Sequence, residues 1–124
     1  MRRVVVDAVV ILGWFEAESR HRGLRSEYEA GTLAVIGPGG LIADALGMLA
    51  ERGTPPDRLA RIGAELQRIG LQLQDPPMEA LATWLGKGLS SGRAAYPALA
   101  ASLEIPLVTD DPELQRVAGG IPRG

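Results

Sequence analysis

The sequence predicts an α/β protein of one domain, with a central parallel sheet of four to five strands covered by helices on both faces. Three observations carry that expectation. Short apolar runs alternate along the chain with longer stretches of helical periodicity, the pattern of strand–helix–strand units. The first of these runs, Val4, Val5 and Val6, is apolar at consecutive positions, as in a strand buried on both sides. The chain has 124 residues, enough for one core, and contains no internal repeat or linker.

The elements follow in order. The β-branched run Val4–Val6 ends at Asp7 and is followed by a helical stretch containing Phe15, Leu24 and Tyr28, which closes at Gly31. Leu33, Ala34, Val35 and Ile36 read as the second strand, stopped by Gly37, Pro38, Gly39 and Gly40. Leu41, Ala45, Met48 and Leu49 recur at helical spacing up to Gly53. Thr54 then reads as a helix cap, with prolines in the first turn and Asp57 three residues on. The buried stripe of that helix is Leu59, Ile62, Leu66 and Ile69, which leaves Arg58, Arg61 and Arg68 on its outer side.

Leu71 and Leu73 alternate with Gln72 and Gln74, as in a half-exposed third strand. Asp75, Pro76 and Pro77 read as the start of a helix through Leu81, Trp84 and Leu85. Gly86, Gly88 and Gly92 loosen the chain before Ala94, and Pro97 argues against a helical turn ahead of it. Residues 96–103 read as helix, Ile105 to Thr109 as the fourth strand, and Asp111 with Pro112 as the start of a last short helix.

Composition narrows the chemistry. The chain has no cysteine, which removes thiolate metal sites, disulfides and cysteine nucleophiles. His21 is its only histidine, so catalysis by paired histidines is excluded, and a place on a solvated helix face is expected for it. The opening apolar run is interrupted at Asp7 and is far short of the roughly 20 residues of a membrane span. No membrane association and a cytoplasmic location are expected. The net charge of −2 does not announce a nucleic-acid partner, although an acidic metal site would itself lower the total. The Gly37–Gly40 stretch lacks the lysine and hydroxyl residue of a phosphate-binding loop and reads as a turn. Trp14, Phe15 and Trp84 read as core or dimer contacts.

The residues that point to chemistry are acids. In an open α/β sheet, ligands bind beyond the carboxyl ends of the strands. Asp7 and Asp111 both follow strands and therefore face the same edge, and Asp44 lies in an apolar helical run that needs a partner for a carboxylate. Acids converging from three distant places suit a hard cation such as Mg²⁺, which takes a few carboxylates, water and substrate phosphate. The corresponding reaction is metal-assisted phosphodiester hydrolysis. Taken one at a time, Asp7 and Asp111 are also good helix caps.

These same stretches resemble the PIN-domain family. Val4 to Ala8 followed by Trp14 and Phe15 resembles the family's first strand, metal aspartate and apolar helix. Pro38 and the run Leu41 to Leu46 resemble its proline, apolar run and acid, with Asp44 for the usual glutamate. Tyr96 to Ala100, leading into Ile105 to Asp111, resembles the late helix, strand and Thr-x-Asp metal motif. The resemblance spans nearly the whole chain.

It implies a three-layer α-β-α PIN-like fold and a Mg²⁺- or Mn²⁺-dependent ribonuclease of the VapC toxin kind. The implied metal-binding and catalytic residues are Asp7, Asp44 and Asp111. The implied partners are RNA, an antitoxin protein and a second copy in a homodimer. Arg93, Arg58 and Arg61 are the expected RNA contacts. The pattern is broken twice: Arg93 stands where the family places its third acid, and Val9 stands where a hydroxyl residue supports the first aspartate. Arg93 removes a ligand and repels a cation, and so favours an alternative, a catalytically inactive PIN domain that binds RNA or protein. A more distant alternative is an unrelated phosphate-binding α/β domain whose acids serve only as caps. Asp110 is adjacent to Asp111 and is not expected to replace the missing ligand.

Overall fold

The fold described here is that of a computed structural model, covering residues 1–14, 21–118 and 121. Its elements are β1 (Arg2–Val6), α1 (Ala8–Gly13), α2 (Arg22–Glu29), β2 (Leu33–Gly37), α3 (Leu41–Glu51), α4 (Pro56–Arg68), β3 (Gln72–Leu73), α5 (Met78–Leu85), α6 (Ser91–Leu103), β4 (Leu107–Val108) and α7 (Pro112–Val117). The strands form one sheet in the order β3-β2-β1-β4. Every pairing is parallel, with Val4 opposite Val35, Val5 opposite Leu107 and Ile36 opposite Gln72.

Parallel pairing obliges the chain to cross back over the sheet between strands, and helices make the crossings. Helices therefore flank the sheet in a three-layer α-β-α arrangement, as the strand–helix alternation predicts. The central strands are inaccessible: Val4, Val5 and Val6 are fully buried, and all five residues of β2 are buried. Helix α6 packs on β1 and β4 and carries α5 on its other side, while α3 packs against both α1 and α4. The stripe on α4 is as read, with Leu66 fully buried and Leu59, Ile62 and Ile69 half-buried.

Several boundaries differ from the sequence reading. The helical stretch after Asp7 is two helices, α1 and α2, and Phe15 lies outside the described residues. The N-cap of α4 is Pro55 rather than Thr54, and no side chain caps it. Asp75 does not open α5, whose N-cap is Pro77; its carboxylate instead accepts from the Gly39 N–H at 3.0 Å, tying the turn after β2 to the chain after β3. The third strand shrinks to two exposed residues, because it has a neighbour on one side only and little to pack on. The fourth is likewise Leu107–Val108, and no fifth strand occurs among the described residues.

The largest correction concerns α6. It begins at Ser91, a full turn before Pro97, because the Ser90 hydroxyl accepts from the Arg93 N–H at 3.4 Å and caps the helix. Pro97 is buried inside the helix. Arg93 therefore sits in an ordered first turn. No helix among the described residues is long and apolar enough to cross a membrane.

Candidate active site

All four strands run the same way, so their carboxyl ends lie along one edge, where β1 delivers Asp7 and β4 delivers Thr109, Asp110 and Asp111. Asp7 and Asp111 are indeed helix caps. Asp7 Oδ1 accepts from the Val10 N–H at 2.9 Å at the start of α1, and Asp111 Oδ1 accepts from the Glu113 N–H at 2.9 Å at the start of α7. Each carboxylate, however, has a second oxygen that the cap does not use.

Asp7 is only 4% exposed and is the one buried charged residue among the described residues. Its Oδ2 accepts from the Thr109 hydroxyl, which in turn accepts from the Asp111 N–H at 3.0 Å. Thr109 thus links two of the acids through one hydroxyl. Burial raises the Asp7 pKa above the ordinary carboxylate value; the bonds from Thr109 and Val10 pull the other way, and the charges of Asp110 and Asp111 add to the rise.

Asp44 projects from the first turns of α3 and is half-buried. Its Oδ2 accepts from the Tyr96 hydroxyl at 2.8 Å, which is the partner that its apolar surroundings required. Tyr96 is 4% exposed, and burial first, then the bond to Asp44, drive its pKa far upward. At any physiological pH it is a donor.

Asp111 Oδ2 accepts from Arg93 Nε at 2.6 Å, and Arg93 also approaches Glu113 at 3.7 Å. Burial opposes charge on Asp111, but the Arg93 bond, the Glu113 N–H and the guanidinium charge outweigh it and hold its carboxyl below the ordinary value. Arg93 is held charged more firmly in return.

Asp7, Asp44 and Asp111 all line one cleft of about 560 Å³, together with Arg93, Tyr96, Ser90 and Glu51. The sequence reading missed Glu51. The available signal was its spacing of two helical turns from Asp44, which puts both on one face of α3. The cleft thus holds four acids against one cation.

Other expected site residues lie elsewhere. Arg58 and Arg61 line a separate surface groove on α4 with Arg68 and Glu65, and Arg61 is 3.7 Å from Asp57. His21 is not on a solvated face: it stands just before α2 without a side-chain cap bond, and its ring bonds Asp110 at 3.0 Å; both residues line a different pocket from the acid cleft.

The donors suit a hard divalent cation, being carboxylate oxygens whose orientation Thr109 and Tyr96 fix from behind. As they stand, no three acids or histidines among the described residues are drawn together as one ligand set. Asp111 is closed on Arg93, which would have to release it to a metal.

No protein-family model and no curated protein matches the chain. Among solved structures, the chain is similar to PAE2754 from Pyrobaculum aerophilum, with a TM-score of 0.66 at 23% identity, covering 98% of this chain and 90% of that one. At that identity the likeness establishes the fold, a three-layer α-β-α architecture around a parallel sheet.

Proposed function

We propose that the protein is a metal-dependent endoribonuclease of the PIN-domain, VapC-like type, cutting RNA phosphodiester bonds. One observation carries the reading: Asp7, Asp44 and Asp111, from three separate parts of the chain, line a single cleft at the carboxyl edge of the sheet. With four acids and one arginine, that cleft repels a polyanion by itself. A divalent cation bound by the carboxylates reverses the sign and makes RNA a compatible occupant. Mg²⁺ or Mn²⁺ bound there would supply Lewis acidity and a water activated for attack on phosphorus.

The chain's own residues do the rest. Thr109 fixes the Asp7 carboxylate, Tyr96 fixes Asp44, and the α7 cap fixes one oxygen of Asp111. Arginines Arg58 and Arg61 line the α4 groove rather than the cleft and would serve a trailing RNA strand. The same reading makes the protein cytoplasmic and gives it a homodimeric partner copy and an antitoxin protein as inhibitor.

The Arg93–Asp111 bond favours a second reading, a PIN-like domain that has lost its chemistry and binds RNA or protein. The deciding experiment is cleavage of a mixed-sequence RNA by pure protein in Mg²⁺ or Mn²⁺, with EDTA and Asp7→Asn as controls. Cleavage that requires both the metal and Asp7 supports the nuclease. Cleavage untouched by Asp7→Asn refutes it. Silence of the wild type, with activity gained in Arg93→Asp, favours the second reading.

A further inference from the structure

Arg93 occupies the one position in the cleft where a cation is already bound to a carboxylate. Asp111 has two oxygens. Oδ1 already accepts from the Glu113 N–H, where it caps α7, so Oδ2 is the oxygen with less of its capacity used by the backbone. That oxygen is held by Arg93 Nε at 2.6 Å. A guanidinium and a divalent ion on that oxygen repel each other at short range, so each weakens the binding of the other.

The geometry also makes the guanidinium displaceable. Its side chain is 48% exposed against 17% for Asp111, and its second acid, Glu113, is 3.7 Å away and 40% exposed. Only Nε is bonded to Asp111 in a normal hydrogen bond, so the planar fork is not engaged through both of its arms there. The backbone of Arg93 lies in the first turn of α6, fixed by the Ser90 cap, so its side chain is rooted at the wall of the cleft.

We infer that Arg93 is a resident counter-cation of this site: it competes with the divalent ion for Asp111, and once displaced it binds a phosphate of the substrate. This rests on the metal-dependent reading above and adds an exchange to it. Metal arrival frees a guanidinium, and a guanidinium is well suited to a phosphate oxyanion. Arg93 is then a positioning residue that sets how much metal the site needs and how well RNA is held after loading.

The test uses the full chain and measures binding rather than turnover. Mn²⁺ affinity is taken by calorimetry for the wild type, Arg93→Gln and Arg93→Lys. Arg2→Gln removes one positive charge from the opposite edge of the sheet and serves as the control. Affinity for a short single-stranded RNA is then taken by fluorescence anisotropy at saturating Ca²⁺. Arg93→Gln is expected to tighten Mn²⁺ by about 1.5- to fivefold, the range for releasing a partly exposed pair. It is expected to weaken RNA by a similar factor at saturating metal, with Arg93→Lys between the two. Movement in opposite directions is not what a merely structural role gives.

Equal Mn²⁺ affinity in wild type and Arg93→Gln overturns the inference and leaves the nuclease reading standing. So does tighter Mn²⁺ with unchanged RNA binding. No Mn²⁺ binding to any variant at millimolar metal overturns the metal-dependent reading itself, and this inference with it.

Discussion

Replacing Thr109 by valine is the sharpest structural test of the cleft, because one hydroxyl serves two of its four acids. Thr109 Oγ1 donates to Asp7 Oδ2 and accepts from the Asp111 N–H at 3.0 Å. Valine keeps the shape and removes both bonds. Loss of the bond to an ionised, buried carboxylate costs about 1.5–3 kcal/mol, and loss of the acceptor for a backbone N–H about 0.5–1.5 kcal/mol. Together, Thr109→Val is expected to cost about 2–4 kcal/mol, which lowers Tm by about 8–15 °C in a domain of this size.

The loss depends on pH, and its sign is fixed. Burial already raises the Asp7 pKa above its ordinary value of 3.8, so ionised Asp7 weighs against the fold as pH rises above that value. The Thr109 bond opposes the rise, so removing it deepens the penalty at neutral pH. Near pH 3.8 and below, the raised pKa keeps the carboxyl mostly protonated in the folded state, so the difference between variant and wild type there is only the ordinary loss of neutral bonds.

Urea denaturation at pH 4 and pH 7.5 reads this directly, as the difference between variant and wild type at each pH. A double-mutant cycle with Asp7→Asn isolates the pair; a coupling of about 1–2 kcal/mol is expected, since asparagine carries no charge for Thr109 to stabilise. A loss that is equal at the two pH values, or a coupling indistinguishable from zero, refutes the account of Thr109.

Three further outcomes are expected. Asp7→Asn removes a charge whose burial disfavours the fold but also an oxygen that accepts from Thr109, so it is expected to abolish metal-dependent cleavage while changing neutral-pH stability by less than about 1.5 kcal/mol in urea titration. Tyr96→Phe leaves Asp44 Oδ2 without its 2.8 Å donor, and is expected to cost about 1–2 kcal/mol and weaken Mn²⁺ binding measured by calorimetry. Leu66→Ala deletes a fully buried side chain of α4 that lies outside the cleft, so a loss of about 2–5 kcal/mol with unchanged Mn²⁺ affinity is expected.

The sequence by itself determined the order of the strands, their alternation with helices, the parallel sheet and the edge on which Asp7 and Asp111 meet. Those properties follow from local patterns: consecutive β-branched residues at Val4–Val6, helical spacing in Leu41–Leu49, and the rule that crossovers align strand ends. Element ends were less legible. Thr54 and Asp75 look like helix caps, yet a cap is decided by where the backbone turns, and the tertiary arrangement drew Asp75 to Gly39 instead.

What only the tertiary structure decided is the pairing of side chains across long separations. Asp44 with Tyr96, Asp7 with Thr109, Arg93 with Asp111 and His21 with Asp110 are 52, 102, 18 and 89 residues apart. No periodicity in a sequence encodes which rotamer a charged side chain takes or which oxygen of a carboxylate stays free. Two of these pairs, Asp44 with Tyr96 and Arg93 with Asp111, come from the packing of α6 against the sheet, which closes a guanidinium onto the acid that a metal would need.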